Sequence, residues 1–158
     1  AYAGAVAEKE LLIVYHTQSG SSQRLAEAAY AGAVAEKEIK VRLLRAMEAG
    51  SSDLQACDGV LFVTPENFGY LSGGMKDFFD RTYYPCDPGS LARPYMLIVS
   101  CGNDGSGAVR QLERIVKGYP LKAVAEPLIV RGEPQGEDLE SAGELGLSFA
   151  AGLGMGIF

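Results

Sequence analysis

The sequence predicts an α/β fold in which a parallel sheet carries helices on both of its faces. Three observations lead there. Five short apolar runs alternate with helical patterns along the chain, the arrangement that right-handed crossovers between parallel strands produce. The first of these runs, LLIVYH at 11–16, is almost wholly apolar instead of alternating, as a strand buried on both faces requires. A chain of 158 residues also suits a single domain, which at this size buries about two-thirds of its unfolded surface.

The elements follow in order. Residues 22–37 are rich in Ala, Leu and Glu, with Leu25, Ala29 and Ala33 at helical spacing, and read as the first helix. KVRLL (40–44) is the second strand, a short helix falls near 52–57, and GVLFVT (59–64) is the third strand. A strong helical pattern at 72–82 precedes YMLIVS (95–100), the fourth strand, and another at 106–117 precedes KAVAEPLIV (122–130), the fifth. The last helix covers about 137–151. The alternating glycines of Gly152, Gly154 and Gly156 follow a helix, so they read as a frayed end and not as a dinucleotide fingerprint, which opens a helix after a strand.

AYAGAVAEKE stands at 1–10 and again, letter for letter, at 29–38. The second copy continues a helix, whereas the first precedes a strand. Residues 1–10 are therefore taken as an artefactual or duplicated extension and 11–158 as the functional domain.

Fourteen basic residues against twenty acidic ones give a net charge of -6, and the basic residues are scattered instead of forming a stripe that could track phosphates. Nucleic-acid binding is excluded on that ground. Cys57, Cys86 and Cys101 are widely spaced and form no CxxC pair, so neither a disulfide framework nor a metal site is expected. With no bilayer-length apolar run and no signal-peptide pattern, the expectation is a reduced, cytoplasmic protein.

Ligands of such sheets bind beyond the carboxyl ends of the strands, which directs attention to the loops starting at Thr17, Pro65 and Cys101. In the first, Thr17-Gln18-Ser19-Gly20-Ser21-Ser22 leads from a strand into a helix. Free N–H groups and the positive end of the helix dipole make that place suited to an anion. The hydroxyls of Thr17, Ser19 and Ser22 add donors, and Gly20 permits close backbone approach. Hydrogen bonds to a charged group contribute roughly 1.5–3 kcal/mol each, so five or six would offset the desolvation of a phosphate dianion. The competing reading is an ordinary serine-rich cap, which two hydroxyls would satisfy. The Walker pattern GxxxxGK[ST] is absent.

T-x-S-G-x-S after the first strand resembles the T-x-T-G-x-T phosphate signature of flavodoxins. Residues 64–81, TPENFGYLSGGMKDFFDR, resemble the flavin loop and following helix of the flavodoxin-like NAD(P)H-dependent FMN and quinone reductases. The "TPE" start is similar to the FMN-reductase branch and the rest to the quinone-reductase branch. The resemblance covers residues 11 to about 131 and implies a flavodoxin-like three-layer α/β/α sandwich with a five-stranded parallel sheet in the order 2-1-3-4-5. It implies FMN as cofactor, with Thr17, Gln18, Ser19, Gly20, Ser21 and Ser22 at the phosphate. Pro65, Glu66, Asn67, Phe68, Gly69 and Tyr70 would lie at the ring, and Ser100, Cys101, Gly102 and Asn103 at its far edge. A ring of that kind needs apolar surface and edge donors, which a Pro-Glu-Asn-Phe-Gly turn supplies. For Phe68 and Tyr70 the alternative is core packing. Asp104 or Ser106 alternatively caps the next helix, Cys101 reads as a packing residue, and His16, the single histidine, reads as a packed strand residue before a proton donor.

Flavodoxins that carry electrons usually cover the flavin with two aromatics, commonly Trp and Tyr. This chain has no tryptophan, and residues 100–109 contain no aromatic. A ring open on that side is accessible to NADPH or NADH and to a quinone or similar small acceptor, so the resemblance implies an FMN-dependent oxidoreductase. Two alternatives remain: an electron carrier docking on redox protein partners, which the acidic balance suits, and a cofactor-free interaction module. The quinone reductases usually carry an insertion near the fourth strand that is absent here. No catalytic residue is assigned. A homo-oligomer is the expectation for a reductase, with Tyr83-Tyr84-Pro85-Cys86 as candidate contact unless that segment closes over its own sheet edge.

Overall fold

The computed structural model describes residues 8–87 and 89–158, so most of the duplicated extension at 1–10 lies outside the described residues. The chain runs β1 (Glu10–Tyr15), α1 (Ser21–Ala33), β2 (Lys40–Arg45), α2 (Ser51–Ala56), β3 (Gly59–Asn67), β4 (Tyr70–Leu71), α3 (Gly73–Thr82), β5 (Pro94–Cys101), α4 (Ser106–Val116), β6 (Lys122–Ala123), β7 (Leu128–Arg131) and α5 (Gly136–Gly154).

The strands align β2-β1-β3-β5-β6, all parallel, with β7 also on β5 and the two-residue β4 antiparallel to β3. Taking β6 and β7 as two pieces of the expected fifth strand, this is the expected 2-1-3-4-5 order. The strand breaks at a two-residue bulge: pairing lapses after Ala123, opposite Tyr95, and resumes at Leu128, opposite Ile98, and Pro127 inside that gap has no N–H to give to the ladder.

Period-two alternation sorts the central strands onto two cores. Leu12, Val14, Val60, Phe62, Leu97 and Val99 pack with Leu54 of α2, Met75, Phe78 and Phe79 of α3, and Ala108, Leu112 and Val116 of α4. Leu11, Ile13, Leu61, Val63, Met96 and Ile98 pack with Leu25, Ala29 and Ala33 of α1 and Ala142, Phe149 and Leu153 of α5. Helices on both faces of a parallel sheet make the three layers.

Helices α1 and α5 approach closely because glycine allows it. A Cβ on Gly32 would lie 1.9 Å from Gly143 O, and one on Gly146 would lie 2.1 Å from Ala29 O. The first helix ends at Ala33, short of the expected 37. Ala35 N–H donates to Gly32 O and Glu36 N–H to Ala33 O, the tightened turns with which a helix stops, and these reverse the chain toward β2. Glu10, assigned above to the extension, is the first residue of β1; it is buried, with its carboxylate 3.0 Å from Arg42 Nε. In the segment Tyr83–Cys86, Tyr83 meets Tyr119 edge-on with centroids 5.2 Å apart and Cys86 is buried, so both close over the chain's own core while Tyr84 stays exposed.

Candidate functional site

The carboxyl ends of β1, β3 and β5 meet at a cleft of about 260 Å³ lined by Ser19, Ser21, Pro65, Glu66, Asn67, Ser100, Cys101, Gly102 and Gly132. All three loops singled out above contribute to it.

In the first loop, Gly20 stands immediately before α1 with φ 101°, and no side chain caps the helix. Gly20 N–H donates to Thr17 Oγ1 at 2.9 Å, and Arg24 N–H is the first amide of α1 to find a carbonyl among the described residues, Gly20 O at 3.0 Å. The amides before it thus point out of an uncapped, positively polarised end. Ser19 and Ser21 face the cleft. Ser22 behaves otherwise: it is 1% exposed and shares a 2.7 Å hydrogen bond with Ser100 Oγ. Its hydroxyl ties α1 to the end of β5, leaving Thr17, Ser19 and Ser21 as the hydroxyl donors. Arg24 turns away, to Pro134 O at 3.3 Å and Glu133 at 3.7 Å, so no guanidinium enters the loop.

The second loop is largely strand. β3 continues through Asn67 and turns back into β4, pairing Glu66 with Leu71 and Asn67 with Tyr70. Phe68 (φ 54°) and Gly69 (φ 71°) form the two-residue turn, with the positive φ pair that such hairpins need. Phe68 is fully exposed at the tip, outside any core. Tyr70, by contrast, is half-buried against the core beneath α3 and α4. Asn67 Nδ2 donates to Gln18 Oε1, linking the first and second loops across the cleft.

Glu66 has a role that its place in the motif does not reveal. Its Oε1 accepts from Gly105 N–H at 2.9 Å, and its Oε2 from Gly107 N–H at 3.0 Å and Ala108 N–H at 3.2 Å. The carboxylate therefore caps α4 from another element. Neither Asp104 nor Ser106 does so; these two bond to each other, and Gly105 at the helix start has φ 85°. Of the two helix amino termini that follow β1 and β5, that of α4 is thus filled by a carboxylate. The open one belongs to α1.

In the third loop, Cys101 donates to Val130 O at 3.7 Å, and burial pushes its thiol pKa up, so it packs as a protonated thiol. Asn103 is exposed, and its carbonyl accepts from Arg131 Nε at 3.1 Å, with Arg131 Nη2 reaching Asp104 O at 3.2 Å. Arg131 and Gly132 were missed by sequence reasoning; a basic residue followed by glycine at the end of the last strand was the signal.

His16 sits at the end of β1 with its ring against the first turn of α3, where a Cβ on Gly74 would lie 2.2 Å from the ring. Its Nδ1 is buried without a partner among the described residues, and burial lowers its pKa.

The donor set suits the phosphate of a flavin nucleotide: uncapped amides with neutral hydroxyls at α1, and a hairpin plus a glycine-rich loop 39–42 residues further along the chain bound together by Glu66. Thr17, Ser19, Ser21 and the α1 amides would hold that phosphate. Pro65, Asn67, Phe68, Cys101 and Gly102 would border the ring.

Known proteins resemble the chain accordingly. The family described as NADPH-dependent FMN reductase matches residues 16–127. A flavodoxin of Aquifex aeolicus (strain VF5) is 35% identical over 71 residues, 45% of this chain and 38% of that protein. An NAD(P)H dehydrogenase (quinone) of Acidithiobacillus ferrooxidans (strain ATCC 53993 / BNL-5-31) is 33% identical over 92 residues, covering 46% of each. The chain thus spans less than half the length of these relatives. In fold, a flavodoxin from the domain Archaea superposes with a TM-score of 0.80 at 18% identity, covering 90% of this chain and 96% of that one.

Proposed function

We propose, from the premise that this chain belongs to the NADPH-dependent FMN reductase family, that it binds FMN and moves electrons from NADPH or NADH to a quinone or similar small acceptor. The observation that carries this reading is the uncapped start of α1 at the cleft, with Ser19 and Ser21 in its wall. An open α1 terminus flanked by Ser19 and Ser21 holds a dianion without any cation in the loop. When bound, FMN would supply two-electron chemistry. The residues orient it: α1 amides fix the phosphate end, and the Glu66-bound hairpin and glycine loop border the other end. With no aromatic between 100 and 109, the third loop leaves that side accessible to a planar donor or acceptor.

An electron carrier is the second reading. It is favoured by Phe68, whose exposed ring at the hairpin tip would serve contact with a redox protein. The protein is read as cytoplasmic; among the described residues no helix is long and apolar enough to cross a membrane.

Two measurements test these readings. Titrating FMN into the protein while following flavin fluorescence should give saturable quenching, and Ser19→Ala should weaken binding about ten-fold, on the order of 1.5 kcal/mol. Mixing the loaded protein with NADPH or NADH should bleach the flavin absorbance within minutes without added reductase. Absent bleaching would leave the carrier reading in place, and absent quenching would remove both.

A further inference from the structure

We infer that the chain associates head to tail with further copies of itself, a row of basic residues on α4 of one copy meeting a row of acidic residues on α5 of the next. Neither row lines the cleft, so this contact is independent of the FMN reading.

At α4, Arg110, Arg114 and the C-cap residue Lys117 are exposed. They line a groove of about 500 Å³ whose apolar wall is Tyr95, Val116, Leu121 and Ala123. Steps of four and then three residues put these cations on one side of the helix. None of them belongs to an ion pair among the described residues, although acidic residues outnumber basic ones by twenty to fourteen. Helix α5 carries Glu137, Asp138, Glu140 and Glu144 and no lysine or arginine. Asp138 turns back to accept from Gln135 N–H at 2.8 Å. Glu137, Glu140 and Glu144 are exposed and likewise form no ion pair among the described residues.

The steps of the acidic row are three and then four, so from its C-terminal end it repeats the spacing of the basic row. Antiparallel helices therefore set Arg110 beside Glu144, Arg114 beside Glu140 and Lys117 beside Glu137, along about 10.5 Å of helix. Glu113, the acid in the groove wall, then falls level with Ser141, and no two carboxylates are opposed. Opposite helix ends also lie side by side, which the dipoles favour. The apolar wall takes the stems of the basic side chains and gives the pairs a partly dry setting, where they are stronger than isolated surface pairs. Because α4 packs on one face of the sheet and α5 on the other, each copy presents both rows. The contact is heterologous, and assembly continues past two copies.

Sedimentation velocity of the full chain at low salt should show a mean mass that climbs past that of a dimer with concentration and falls back in about 0.5 M NaCl. Two reversal variants identify the contact. One combines Arg110→Glu, Arg114→Glu and Lys117→Glu; the other combines Glu137→Lys, Glu140→Lys and Glu144→Lys. Each alone should need about ten-fold more protein to associate. Mixed one to one they should associate again, because each row now meets its opposite on the other variant. Melting curves check that both fold; should either unfold, the single changes Arg114→Glu and Glu140→Lys replace them in the same mixing test. A wild type that stays monomeric at about 1 mM overturns the inference. Association that survives either reversal overturns it too, by assigning the contact to another face, and so does a mixture whose components stay apart.

Discussion

Phe68 holds φ 54° in the hairpin turn, a region that costs a residue with a Cβ roughly 1–2 kcal/mol. Asparagine tolerates that conformation better. Phe68→Asn should therefore raise stability by up to about 1 kcal/mol in urea unfolding. If the ring lies against flavin, the same change should weaken FMN binding, and a gain in both would show that Phe68 has no part in the site. His16 makes a second prediction. Burial holds its folded pKa below the ordinary 6.5, so the unfolded chain takes up the proton first as pH falls. The stability associated with neutral His16 is full above about 6.5 and is lost as pH drops from there through the lower folded value. Unfolding free energies at pH 7.5 and 5.5 should thus fall more in the wild type than in His16→Asn. At this scale the sequence was half legible. Ser19 and Pro65 line the cleft at the strand ends to which the sequence directs attention, but the bond from Ser22 to Ser100 spans 78 residues, and the amides on Glu66 are 39–42 residues away. No local pattern encodes such partners.

Among the elements, the α1–α5 contact has the least room for change. Gly146 faces the backbone of Ala29, and a Cβ there would lie 2.1 Å from its carbonyl oxygen. Because backbone cannot yield as a side-chain tip does, Gly146→Ala should destabilise the protein by about 1–3 kcal/mol, seen as a lowered urea midpoint with unchanged slope. A midpoint at the wild-type value would mean the two helices can slide apart freely. The strands were legible because β1, β3 and β5 are buried apolar runs. The ends were not. β3 outruns its apolar stretch because Pro65 still pairs with Ser100 of β5 and β4 is there to pair with Glu66 and Asn67, and the fifth strand divides between Ala123 and Leu128.

For the molecule as a whole, the second AYAGAVAEKE copy is part of the structure, since Ala29, Gly32 and Ala33 lie in the α1–α5 layer. We expect the first copy to be dispensable up to Glu8. A chain starting at Glu8 keeps Lys9 O, which accepts from Lys40 N–H at 2.9 Å, and all of β1. Its melting temperature and FMN affinity should equal those of the full chain; a drop in either would make the first copy part of the domain. The crevice itself was foreseeable from strand order alone, whereas the filling of the α4 start by Glu66 depended on contacts between distant segments. The buried Ser22–Ser100 bond adds a last consequence. It locks the start of α1 to the central sheet before any nucleotide arrives, so association need not first freeze a floppy loop. Occupancy then feeds back on folding by mass action alone: each ten-fold excess of nucleotide over its dissociation constant deepens the native well by about 1.4 kcal/mol, and melting curves should climb with the logarithm of added flavin.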